Sequence, residues 1–251
     1  HAVKYYPKGA TTNSASGVQS IESIYSVLEA MQEVDMVLSI HGEVTHAHVD
    51  IFEREAVFLH EQLAPILQRF PRLRVVLEHI STQQAVEFVQ QGGDKLAATI
   101  TPHHLLLNRN DLLSGGIRPH YYCLPILKRQ DDQTALVNAA ISGNSKFFLG
   151  TDSAPHSRGT KESCCGCAGI YSAHAAMELY AQVFDDSNAL ERLENFSSVF
   201  GAQFYGLPIN KNKVILRREV WQVPDELVFG EQVLIPLYAG EKLSWKLIRN
   251  E

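Results

Sequence analysis

Four ionisable side chains stand where apolar, strand-like runs give out. AVKYY carries Lys4, MVLSIHGE brings His41, RVVLEHIS brings His79, and KFFLGTDSAPH brings Asp152, with His156 beyond a proline. A carboxylate at the end of a buried strand must be solvated, hydrogen-bonded or bound to a cation, because an unpaired buried charge is too costly to keep. Singly, each residue is ordinary. Asp, Ser and Pro favour turns, a strand histidine is usually a hydrogen-bonded core group, and a lone lysine is usually solvated. All four in corresponding positions are harder to explain that way. In a (β/α)8 barrel the C-terminal strand ends converge on one mouth, where active sites are built. Two imidazoles and a carboxylate suit zinc, and a zinc ion with an open position for water can support hydrolysis.

The elements that must position these groups can be read from periodicity. Five strand-like runs cover residues 2–6, 36–43, 74–81, 95–104 and 146–151. Between them, 21–34, 51–68, 82–90 and 133–142 carry apolar residues at helical spacing, and 173–184 adds another helix. Pro65 is expected to bend or break the second of these helices. Ser81 or Thr82 is expected to cap the third, and Gly92-Gly93 to end it. Strands alternating with helices imply a parallel sheet joined by crossovers. Strands that are apolar throughout imply that both faces are covered. No G-x-G-x-x-G follows a strand, which disfavours a dinucleotide-binding sheet. From Lys213 the tail is again strand-rich, so residues 1–207 read as an α/β barrel segment and 208–251 as a strand-rich C-terminal extension.

Composition narrows the classes. The chain has 251 residues, is 45% hydrophobic and carries a net charge of −6, so a sizeable core is available and no basic excess marks a nucleic-acid partner. No apolar run approaches the roughly 20 residues that span a membrane. Of the four cysteines, Cys164, Cys165 and Cys167 crowd into ESCCGCAG, which does not fit a disulfide framework and points to a reduced, cytoplasmic chain. No second cysteine pair completes a four-cysteine zinc site.

Seven segments in order, KYYPKGATTNS, IHGEVT, LEHIST, ATITPHHLL, GGIRPHYYCLPILKR, FLGTDSAPH and KESCCGCAG, resemble the dihydroorotases, more narrowly the single-function type of bacteria and fungi. The resemblance runs from about Lys4 to Leu207 and thins in the tail. It implies a TIM-like (β/α)8 barrel of the metal-dependent amidohydrolase type, with this chain supplying strands four to eight and the C-terminal extension. It implies two zinc ions bridged by a carboxylated Lys4. His41 and His79 would share one metal with Lys4, and Asp152 would bind the other and shuttle a proton. Leu124, His156 and Ala168 match substrate-binding positions, and Thr11 and Thr12 match a mobile lid. The implied reaction interconverts dihydroorotate and N-carbamoyl-L-aspartate in a cytoplasmic homodimer, with no nucleic-acid or membrane partner.

The family also carries a His-x-His pair at the first barrel strand, and no such pair precedes Lys4. His46 and His48 form an H-x-H in THAHV but follow the MVLSIHGE strand and read as surface residues. The chain opens with His1 directly before a strand, which reads as a piece of a longer chain, and the piece alone is expected to have little activity. Two other readings stay open. One is a hydantoinase-like or allantoinase-like hydrolase, against which CGCAG and YYCLP argue. The other is a non-catalytic scaffold, against which the intact Lys4, His41, His79 and Asp152 argue.

Overall fold

A computed structural model describes residues 1–248. Five strands, β1 (Ala2–Tyr5), β2 (Val37–His41), β3 (Val75–Glu78), β4 (Leu96–Ile100) and β5 (Phe147–Leu149), pair side by side in chain order, all parallel. Each crossover carries helix, as parallel pairing requires. A 3-10 turn at Ile21–Ile24 leads into α1 (Tyr25–Glu33), which joins β1 to β2. Helices α2 (Arg54–Phe58) and α3 (Ala64–Arg69) join β2 to β3, and α4 (Gln83–Gln91) joins β3 to β4. Then α5 (Pro102–Leu106), α6 (Arg109–Leu113) and α7 (Gln130–Ile141) lead to β5. After β5 come α8 (Arg158–Lys161), α9 (Ala176–Asp186) and α10 (Phe200–Tyr205).

Strand alternation sorts the side chains by face. Leu38, Ile40, Val75, Leu77, Ala98, Ile100 and Phe147 point towards the helices and join the main core. Val37, Val76, Ala97 and Phe148 point the other way, where Phe200, Phe204 and Tyr205 of α10 cover them. The same alternation puts Ser39 and His41 on this second face, further along β2. β2 and β4 are buried along their whole length, which is why they read as unbroken apolar runs.

Two expectations are corrected. Pro65 does not break its helix. It sits in the first turn of α3, where its missing N–H is tolerated, and a π-helical turn at Leu59–Leu63 carries the chain through from α2. The fourth strand does not run to His104. Thr101 caps a helix there, its hydroxyl accepting from the His104 N–H at 3.2 Å, and Pro102 fills the first turn. Thr82, rather than Ser81, caps α4 by accepting from the Ala85 N–H at 3.1 Å. The tail forms β6 (Ile215–Gln222), β7 (Leu227–Phe229), β8 (Gln232–Leu234) and β9 (Lys242–Ile248), paired as β6–β9 and β7–β8, both antiparallel. β9 docks on α9: Leu247 N–H donates to Glu178 Oε1 at 3.0 Å, and Trp245 Nε1 to Asp185 Oδ2 at 3.2 Å.

Glu55 of α2 is buried and anchors the start of α4. It accepts from the Ser81 N–H at 2.9 Å, from the Ser81 hydroxyl at 3.1 Å and from the Thr82 hydroxyl. Burial pushes its carboxyl up to about 7, with Lys128 and the Thr82 hydroxyl pulling the other way. The folded protein therefore holds a proton on Glu55 that the unfolded chain, with the usual value of 4.5, releases earlier. The stability this contributes is fully present below pH 4.5 and lost as pH rises to about 7. At 1.36 kcal/mol per pKa unit the change amounts to about 3 kcal/mol. Denaturant unfolding between these two pH values should show that fall, and the Glu55→Gln variant should flatten it. An unchanged slope in the variant would contradict the assignment.

Candidate active site

The parallel register sets the geometry. Lys4 pairs across from Ser39, and His41 across from Glu78, so His79 stands one residue past the end of β3. The His41 and His79 rings meet edge-on with centroids 4.7 Å apart. Lys4 Nζ lies 3.5 Å from His79 Nε2 and donates to Glu78 Oε2. His41 Nε2 lies 3.2 Å from Glu43 Oε2, and the other oxygen of Glu43 is 3.8 Å from Lys128 Nζ in a fully buried pair.

Both His79 and Asp152 hold left-handed backbone, with φ of 44° and 41°, a conformation that costs a non-glycine residue energy and must be held by its surroundings. For His79 the hold is Thr99, whose hydroxyl accepts the His79 N–H at 2.8 Å. Thr99 also crowds β5: a Cβ on Gly150 would come 2.5 Å from the Thr99 Cβ, so glycine is required just before the turn that carries Asp152. Glu78, His79, Thr99, Gly150 and Asp152 line one small cleft of about 200 Å³. A larger surface groove, bordered by Met177, Leu193, Ser197 and Leu216, shares none of these groups.

Electrostatics separate the roles. Burial, with Lys4 and His41 adding to it, holds His79 well below the usual histidine range, so its ring is neutral and has a lone pair to give. Asp152 opens to solvent on one side, yet the protein around it pushes its carboxyl up to about 6, against the pull of Lys4 and His41.

A second wall is built from loops. Thr12 ties the Gly9–Gly17 loop to it: the Ala168 N–H donates to the Thr12 hydroxyl at 2.9 Å, and that hydroxyl lies 3.3 Å from the Ala168 carbonyl. His156 Nε2 reaches the same carbonyl at 3.2 Å. Gly169, at φ 157°, leaves no room for a side chain, since a Cβ would meet Ala154 and His156 at 2.8 Å. The Gly169 N–H donates to the Tyr122 carbonyl at 3.0 Å, which joins this wall to the segment holding Leu124 and its cis peptide bond to Pro125. Thr11 bonds within its own loop, to Ser14 at 3.0 Å. His46 and His48 are exposed and stacked on each other, away from the cluster, as expected.

So Lys4, His41 and His79 come together, Asp152 shares the cleft of His79, and Thr12, His156 and Ala168 meet in the second wall. Glu43, Glu78, Thr99 and Lys161 were not singled out in the sequence. Glu43 and Glu78 lay inside the HGE and LEH motifs, where period two and adjacency could have flagged them. Thr99 and Lys161 had no local signal.

The donor set fits a divalent metal. His79 Nδ1 is buried without a hydrogen-bond partner, as is Glu43 Oε1. The one misfit is Lys4, because an ammonium repels a metal ion, and it fits only if its charge is removed. His103, His104 and Cys123 also place donor atoms within 4.8 Å of one another. Both ring nitrogens of His103 are buried without a hydrogen-bond partner, but the other two donors are engaged. Both nitrogens of His104 are engaged, by Thr101 Oγ1 at 2.7 Å and the Pro125 carbonyl at 2.9 Å, and the Cys123 thiol donates to Pro125 at 3.2 Å.

Solved hydantoinases share this architecture. The D-hydantoinase of Thermus sp. superposes with a TM-score of 0.74 at 16% identity, over 97% of this chain and 60% of its own, a likeness of fold alone. The fold class is thus α/β, and the five parallel strands of this chain match it. Much closer is the dihydroorotase of Saccharomyces cerevisiae in complex with 5-fluoroorotic acid, with a TM-score of 0.91 and 36% identity over 98% of this chain and 73% of its own. The Campylobacter jejuni dihydroorotase gives 0.89 and 36%, over 99% of this chain and 71% of its own. In sequence, the dihydroorotase of Teredinibacter turnerae is 61% identical over 246 residues, 98% of this chain and 72% of that protein. That of Coxiella burnetii is 59% identical over 250 residues, the whole of this chain and 72% of that protein. No family model matches the chain. The chain belongs to the dihydroorotase family.

The Thr99 hydroxyl can be tested as the support of His79. Thr99→Val keeps the shape but leaves the buried His79 N–H without an acceptor, which should cost about 1–3 kcal/mol in chemical denaturation. A loss below roughly 0.5 kcal/mol, within the scatter of surface changes, would show that something else holds the His79 backbone.

Proposed function

We propose that this chain serves the reversible interconversion of dihydroorotate and N-carbamoyl-L-aspartate, in pyrimidine biosynthesis, through Lys4, His41, His79 and Asp152. The observation that carries the residue assignment is the convergence of these side chains at the C-terminal ends of parallel strands, beside a buried imidazole nitrogen with no partner. Lys4 would take up CO2 on its free amine, releasing a proton and turning a repelling cation into an anion with two oxygens. That carbamate, with His41 and His79, would hold one zinc ion, and Asp152, with the same carbamate, would hold a second; zinc suits imidazole and carboxylate donors. A bound metal of this kind supplies Lewis-acid polarisation of the ring carbonyl and lowers the pKa of the attacking water.

The chain's own residues do the rest. Asp152 takes the proton of the attacking water and delivers it to the ring nitrogen as the amide bond breaks. In the ring-closing direction it takes the proton from the carbamoyl nitrogen and returns it to the departing hydroxyl. Both transfers are general acid–base steps that a positioned carboxylate can carry. His156 and the backbone at Leu124 and Ala168 would hold the substrate's carboxylate and amide groups. Thr11 and Thr12 would close over it, and the Thr12 bonds to Ala168 support that closure. The extension at 208–251, a homodimer and a cytoplasmic setting complete the proposal. The four cysteines are free thiols, and among the described residues no helix is long and apolar enough to cross a membrane.

In the full-length enzyme, Asp152→Asn should lower kcat by about a thousandfold, within the range of a lost general acid and base, with KM changed only a few-fold. Chelation should abolish turnover of both substrates, and added zinc should restore it. A variant that keeps more than about a tenth of wild-type kcat would remove Asp152 from the proton path.

A further inference from the structure

Lys161, at the end of α8, is 3% exposed, and among the described residues no carboxylate lies within ion-pairing distance of it. Its ammonium is instead spent on backbone. Nζ donates to the carbonyls of Tyr122 at 2.6 Å, Cys167 at 2.8 Å and Gly169 at 2.7 Å. A lysine has three N–H donors, and all three are used. The carbonyls belong to two segments far apart in sequence. One runs from Tyr122 through Leu124 to the cis bond at Pro125, and the other from Cys167 through Ala168 to Gly169. Only one backbone hydrogen bond joins them directly, from Gly169 to Tyr122.

Keeping an unpaired cation buried is costly, and burial pushes this amine down to about 8, with the thiols of Cys123 and Cys167 opposing the shift. Neutral donors could tie two loops at lower cost. What the ammonium adds is direction. It draws three carbonyls to a single point behind the wall, and their peptide planes are fixed as a result. The backbone between them, at Leu124 and Ala168, takes no part in the clamp, and the Ala168 carbonyl meets His156 and Thr12.

We infer that Lys161 is a positioning residue for substrate recognition: it clamps the Tyr122–Pro125 and Cys167–Gly169 segments so that the backbone at Leu124 and Ala168 is set to receive the substrate's cyclic amide. The inference rests on the proposed substrate-binding role of that backbone. It requires no contact between Lys161 and the substrate.

Steady-state kinetics on the full-length enzyme test it, with dihydroorotate as substrate and three variants, Lys161→Met, Lys161→Gln and His156→Ala. Lys161→Met keeps length and removes the charge. It should raise KM by about tenfold or more with kcat within about threefold, the pattern of lost binding rather than lost chemistry. Lys161→Gln, with two N–H donors, should fall between it and the wild type, and it stands alone if the methionine variant does not fold. A role in stability alone would lower the melting temperature and leave KM unchanged, and that result overturns the inference. His156→Ala separates the two levels. If it raises KM while the Lys161 variants do not, the clamp is wrong and the substrate wall stands. If none of the three moves KM, the wall itself is misassigned and the clamp falls with it.

Discussion

The in-register parallel pairing of β1, β2 and β3 is the constraint on which the site depends. Because His41 lies opposite Glu78, the next residue, His79, stands just beyond the end of β3, and its left-handed backbone breaks the alternation so that its ring meets the imidazole of His41. Because Lys4 lies opposite Ser39, its long side chain reaches the same level from the neighbouring strand. A one-residue slip of β2 would move His41 to the helical face and bring Ile40 into its place. The packing of Leu38 and Ile40 against the helices therefore fixes the chemistry as well as the core.

Around this register the molecule keeps several buried ionisable groups, each tied to a nearby function of position. Glu43 and Lys128 form a pair behind His41, with the Lys128 ammonium also donating to the Ile126 carbonyl at 3.1 Å. Glu55 holds the start of α4, and Lys161 holds the Tyr122 and Cys167–Gly169 backbone. A plain apolar core would be cheaper at all of these places. Each of these groups ties backbone or a side chain that no ladder of strand hydrogen bonds reaches.

His41, His79 and Asp152 were legible in the sequence because apolar strands make a polar terminus conspicuous. Leu38-Ser39-Ile40-His41 carried the alternation, and the Gly150-Thr151-Asp152 turn carried the stop. Lys4 was legible only in company with the others, since a single lysine on a half-exposed strand says nothing. Thr101-Pro102 held a helix-start signal that lost to the strong apolar run before it, so α5 was read as strand. Pro65 was read as a bend or a break because a π-helical turn leaves no mark in the hydrophobic period. Lys161 could not have been found this way: two of its three carbonyl partners lie close in sequence, at Cys167 and Gly169, but the third, Tyr122, is brought in only by the tertiary fold.

Anomalous diffraction at the zinc edge, from crystals of the enzyme grown with zinc, is the most direct measurement of the central claim. The account predicts an anomalous peak at about 2.0–2.2 Å from an imidazole nitrogen of both His41 and His79, with density for a carbamate on Lys4. A fully active enzyme whose only anomalous peaks lie elsewhere, for instance beside His103 and Cys123, would contradict it.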